Sequence, residues 1–222
     1  METSPAPLVA EALRLHARYM DEFVESYDLC PWAAHSRRAG RVLERVLLQE
    51  DDALEPTLEF IGSIAPRAEL EIGLAIFPRL RKTRLEFDHF VARIREADDA
   101  RHPRGEAPFA TAAFHPEASP DTGNAERLIP FMRRTPFPTL QLVRYSVLER
   151  AHGRAPPGTQ FLDLDALGSG VGLLEPPPVP VRDRVGQNNL DTARRVGVET
   201  LERVLGDITR DRDETLARLG ER

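Results

Sequence analysis

The chain has 222 residues, 41% hydrophobic and 30% charged, which is ordinary for a globular protein and long enough for one large domain or two small ones. A formal net charge of −6 argues against a general nucleic-acid-binding surface, and the single cysteine, Cys30, excludes an intramolecular disulfide and an all-cysteine metal site. No basic start followed by a long apolar run opens the sequence, and no stretch approaches about 18 apolar residues, so the expected location is cytoplasmic, with no membrane partner.

Residues 7–26 predict an amphipathic helix, with Leu13, Ala17, Met20 and Val24 recurring at three- and four-residue steps. "YDLCPWAAHSRR" breaks it. Pro31 suits the first turn of a new short helix, which would put Cys30 at its N-cap. Residues 41–50 read as a strand, with a helix as the alternative. "DDALEPTLEFIGSIAP" reads as a helix carrying Leu54, Leu58 and Ile61 on one face. Residues 70–78 are a strand ended by proline, 87–100 a helix with Phe90, Val91 and Ile94 inward, and 107–116 a strand ending at His115. From His115 to Leu142 runs "HPEASPDTGNAERLIPFMRRTPFPTLQL", whose dense prolines predict an irregular connection. A fourth strand covers 139–146, followed by a short helix in "SVLERAH".

Residues 153–186 are loop-rich and include the extended "EPPPVPV". "GSGVG" at 168–172 has no helical pattern after it and is not read as a phosphate loop. From Asn188 to about Leu219 comes one long helical pattern marked by Leu190, Val204, Leu205 and Ile208. The expected fold is α+β or α/β: a single sheet of about four strands with packed helices, plus a long C-terminal helix. The expected organisation is a core domain over 1–152, an extended segment over 153–186 and a C-terminal helix over 187–222 packing on the core.

Cys30 is the first candidate site residue. A thiol at a helix N-terminus has a lowered pKa and serves as nucleophile or metal ligand, whereas a buried one is a small apolar residue. His115 ends a strand, where it would act as base, acid or ligand, or would fix the adjoining loop. His16, His35, His89, His102 and His152 sit in helical or polar contexts, and most are expected to be solvated. Asp121 and Asn124 belong to "SPDTGN", a good turn sequence as well as a pair of ligand-binding side chains. Arg134 and Arg144 suit an anionic group. Gln141 and Arg144, three apart in a strand, fall on opposite faces, and an arginine in an apolar strand needs an internal acid or an anionic ligand.

Several of these pieces together, "YDLCPWA", the "FP" at Phe77–Pro78, "FDHF", "AAFHP", Asp121 with Asn124, and "RRTPFPTLQLVRYS", resemble a bacterial family known as domain of unknown function 1415. The resemblance covers about residues 10–152. It implies a compact cytoplasmic bacterial domain and lends no residue roles. The chain departs from the pattern in two places. The family's usual "NRSPYP" reads "RRTPFP" at Arg133–Pro138, and Gln141 stands where the family usually carries histidine.

The expected function is a small-molecule site at one end of the sheet, built from Cys30, His115, Asp121, Asn124, Arg134 and Arg144, for a small anionic molecule. If it is an enzyme, Cys30 is the nucleophile and His115 its base, in hydrolysis or group transfer. The alternatives are a non-catalytic structural or protein-interaction module, and metal binding through Cys30 and His115 with an acid. No cofactor is assigned and the oligomeric state stays open.

Overall fold

The computed structural model describes residues 6–102, 106–151 and 181–221. In chain order the elements are α1 (Ala6–Arg18), a π-helical continuation (Tyr19–Glu25), α2 (Ala33–Arg38), β1 (Val42–Val46), α3 (Leu54–Ile64), β2 (Ile72–Ile76), α4 (Arg84–Asp99), β3 (Phe109–Phe114), α5 (Ala125–Met132), β4 (Thr139–Arg144), α6 (Tyr145–Ala151), α7 (Val181–Val196) and α8 (Val198–Leu219). The four expected strands form one sheet, in the order β1-β2-β4-β3. β1 runs parallel to β2, and β4 is antiparallel to both β2 and β3. This is the mixed α+β arrangement anticipated, with a long helix at the C-terminal end.

The central strand β2 is buried at all five positions, because helices cover both faces of the sheet. On one face Ala75, Phe77, Leu140 and Leu142 pack with Phe60 and Ile61 of α3 and with Phe87, Phe90 and Ile94 of α4. Helix α3 approaches closely because position 73 is glycine: a Cβ there would sit 2.5 Å from Ile64 Cδ1. Over the other face, α1, the π-helical turn, α5, α7 and α8 build a helical layer with its own core of Tyr19, Phe23, Leu128, Phe131, Leu190, Leu201 and Leu205.

Two elements differ from the sequence reading. The segment expected to be irregular contains α5, capped by Asn124 Oδ1 accepting from the Arg127 N–H at 2.9 Å. Pro130 lies in its last turns, where the missing N–H removes one helical bond without breaking the rest. The single C-terminal pattern is two helices, since Gly197 takes a φ of +89° between α7 and α8. "GSGVG" and most of the proline-rich stretch lie outside the described residues, and residues 181–186 form the start of α7. Among the described residues no helix is long and apolar enough to cross a membrane.

Candidate functional site

Between the sheet and the second helical layer lies a cavity of about 380 Å³. Its floor is the face of the sheet opposite α3 and α4: Leu74, Ala110, Ala112, Phe114, Thr139, Gln141 and Val143. Ala110 and Ala112 are short, which leaves space between this part of the sheet and the helices above it. Ala112 and Leu74 flank Gln141 as its cross-strand partners. The wall comes from Tyr19, Met20 and Val24 of the π-helical turn, from Leu128, Ile129 and Met132 of α5, and from α7 at Val185 and Asn189. A π-helical turn is wider than an α-helical one and recurs at functional sites.

Cys30 also lines this cavity. Asp28 turns the chain there with a φ of +51°, and Arg37 of α2 binds Asp21 at 2.7 Å and also Glu25, fixing the loop against the π-helical turn. The expected N-cap geometry is not formed. Position 32, occupied by tryptophan, precedes α2, and α2 has only six residues. Burial pushes the Cys30 thiol up to about 11, against smaller opposing contributions from the Trp32 and Ala33 N–H groups. Alkylation of Cys30 by iodoacetamide is therefore expected to stay slow at neutral pH and to be still rising at alkaline pH. A plateau below about 8.5, the ordinary thiol value, would contradict this.

His115 does not line the cavity. It is 6% exposed, its Nδ1 accepts from the Glu117 N–H at 3.2 Å, and its Nε2 donates to the Lys82 carbonyl at 2.9 Å. With Nδ1 accepting, the ring is neutral. Burial holds its pKa below the usual value. Both nitrogens are engaged, so His115 ties the end of β3 to the loop before α4 and has no free position from which to serve Cys30 as a base.

The histidine that shares the cavity with Cys30 is His16, which the sequence reading left among the solvated ones. It is 2% exposed, and its Nδ1–H donates to Glu44 Oε1 of β1 at 2.9 Å. Tyr19 lies beside it, ring centroids 6.0 Å apart, and donates its hydroxyl to the Met132 carbonyl at 3.2 Å. The α1 period places His16 inward, but nothing in the sequence pairs it with Glu44, 28 residues on.

The remaining expected site residues, Asp121, Asn124, Arg134 and Arg144, do not line the cavity. Asp121 Oδ1 accepts from the Gly123 N–H at 2.9 Å, closing the turn, and Asn124 caps α5. Arg144 turns to the opposite face and binds four carbonyls, neither an acid nor an anion: Nε reaches Leu70 at 2.9 Å, and Nη2 reaches Arg67 at 3.1 Å, Ile64 at 3.2 Å and Ala65 at 3.3 Å. Arg134 is half-buried outside the cavity lining, and its Nε has no hydrogen-bond partner among the described residues. Arg133, not Arg134, lines the cavity, with its guanidinium 5.5 Å over the Phe114 ring.

A second, polar cleft of about 470 Å³ adjoins the first, and Trp32 and Val185 line both. At its base Glu71, 7% exposed, accepts from the Ser36 hydroxyl at 2.6 Å, from Arg41 at 2.9 Å and from Arg150 at 2.5 Å. Burial opposes its ionisation, but Ser36 and the two arginines outweigh it and hold the carboxyl below the usual range. Among the described residues no group of three or more His, Cys, Asp or Glu side chains is placed to hold a metal.

No curated protein and no solved structure matches the chain. A family model for proteins of unknown function, DUF1415, matches residues 12–161, which include β1 to β4, Cys30, Gln141 and most of the cavity wall, and the chain belongs to that family.

Proposed function

We propose that the protein binds a small, largely apolar molecule in the cavity between the sheet and the second helical layer. The observation that carries this is the cavity itself: about 380 Å³, walled mainly by aliphatic and aromatic side chains with a few polar groups. Small-molecule sites commonly have this composition and span roughly 300–1,000 Å³.

Polar fixing points are present. The half-buried Gln141 amide lines the cavity, and Trp32 Nε1 is buried with no hydrogen-bond partner among the described residues. A ligand acceptor meeting Trp32 Nε1 would remove the penalty of leaving it unpaired. Cysteine-dependent hydrolysis or transfer has less support, because burial disfavours the Cys30 thiolate and His115 is held away by backbone groups.

Ala112 provides the test. Nile red, a neutral apolar probe, is expected to bind the parent protein saturably at one site. Ala112→Phe fills the floor and is expected to weaken that binding at least tenfold, with an equal or higher melting temperature. Undiminished binding in the folded variant would place the probe elsewhere and remove this function.

A further inference from the structure

We infer that the ligand is an amphiphile whose single anionic end group, a carboxylate or phosphate, sits in the polar cleft beside Arg41 and Arg150 while its apolar body fills the cavity. This rests on the apolar-ligand reading above and names the chemistry of the other end.

The two spaces abut, since Trp32 and Val185 form walls of both. The first is lined mainly by aliphatic and aromatic side chains, whereas the second carries Arg41 and Arg150 around one carboxylate, Glu71. Among the described residues these two guanidiniums exceed that carboxylate by one positive charge, in a chain whose formal net charge is −6. A charge concentration against the background of the whole chain marks a place where an anion is favoured.

The donors are available. Arg41 and Arg150 each give one nitrogen to the same atom, Glu71 Oε1. Their other N–H groups make no bond to the described residues, and their side chains are 45% and 60% exposed. Glu71 thus holds two guanidiniums side by side while neutralising one charge. An incoming carboxylate or phosphate would take the free N–H groups in charge-assisted hydrogen bonds, which are short and about twice as strong as neutral ones. Trp32 Nε1, buried at the seam with no acceptor among the described residues, is a further donor for an oxygen near the head group. The cleft alone would hold any anion weakly, because exposed arginine contacts are worth little. The adjoining cavity makes the difference, since burying an apolar body adds about 25 cal/mol per Å².

Trp32 is the single tryptophan of the chain, so its emission reports on the seam directly. The experiment titrates decanoate and decanol, below their aggregation limits and at low salt, into the parent, Arg150→Ala and Glu71→Gln. The two probes share a body and differ in the head. Decanoate is expected to bind the parent at least tenfold tighter than decanol. Arg150→Ala should weaken decanoate about tenfold and leave decanol unchanged; Glu71 keeps Arg41 and Ser36 as partners in this variant. Glu71→Gln should act in the opposite sense and tighten decanoate severalfold, because it removes the competing carboxylate. If both probes saturate the parent with affinities within threefold of each other, the anionic head group is overturned and the apolar cavity stands. If Nile red binding has failed and neither probe shifts the emission, the apolar reading falls and this inference falls with it. Dodecyl phosphate in place of decanoate separates a phosphate head from a carboxylate one.

Discussion

Replacing Arg144 with leucine is expected to lower the melting temperature by roughly 6–12 °C, the consequence of losing about 3 kcal/mol in a chain of this size. Arg144 lies in β4, faces α3, and reaches four carbonyls around the end of that helix, with its guanidinium 4.7 Å over the Phe109 ring. A helix C-terminus carries unsatisfied carbonyls and partial negative charge, so a cation there acts as a cap. Leucine would remove the cap and leave the acceptors to find water. Lysine should recover little, because one ammonium cannot spread its donors over carbonyls on both sides of the planar fork. The binding of Nile red should be unchanged, since Arg144 does not line the cavity. Thermal unfolding of the three proteins decides the matter. An unaltered melting temperature in Arg144→Leu would show that the carbonyls hydrate without cost.

The contrast with the expectation for Arg144 marks where sequence reasoning stops. That an arginine in an apolar strand must have a partner follows from the cost of burying a charge. Which partner it has depends on what the strand packs against. Here that is the end of α3, roughly eighty residues away in sequence, and carbonyls leave no trace in residue identity. The same holds for His115. Its place at the end of β3 is legible, because the apolar run "APFATAAF" stops there. Its role is set by the Lys82 carbonyl across the chain. Cys30 stands out in the sequence as the single cysteine, but the direction of its pKa depends on burial, and burial wins over a six-residue helix.

Period and punctuation carried the four strands. "IGLAI" in β2 is an uninterrupted apolar run, as expected of a strand covered on both faces. Two local signals in the sequence mark helix starts. Thr83 and Glu86 form a capping box that starts α4 three residues earlier than its apolar pattern suggests. Asn124 followed by "AERLIPFM" is a capped amphipathic helix, outweighed in the sequence reading by its single internal proline. The cavity has no such signal. Its walls bring together His16, Cys30, Gln141 and Asn189 from elements scattered over the chain. What creates it is the shortness of Ala110 and Ala112 on β3, and alanines in a strand look unremarkable until the layer above them is known.

One carboxylate ties two helices of that layer together, and Asp211→Asn is expected to cost about 2 kcal/mol at neutral pH, a fall of roughly 4–8 °C. Asp211 of α8 receives both terminal nitrogens of Arg14 at 2.8 Å and Arg18 Nη1 at 2.5 Å, so it clamps α8 to α1. The contact is bidentate on one side and 24% exposed, which places it above an ordinary surface pair and below a fully buried one. Helix α1 carries His16 and leads into Tyr19 and Met20, so the clamp also sets the cavity wall. The hydrogen bond from Arg14, followed by that from Arg18, holds the Asp211 carboxyl well below the usual carboxylate range, although burial opposes them. A carboxyl depressed in the folded state stabilises above its unfolded pKa of about 3.9 and loses that contribution as pH falls toward the folded value. The stability gap between parent and Asp211→Asn should therefore be full at pH 7 and shrink steadily below about pH 3.9. Urea unfolding of both proteins at pH 7, 5, 3.5 and 2.5 measures it. A gap that stays constant through the acidic points would mean that the aspartate holds α8 by shape and not by charge.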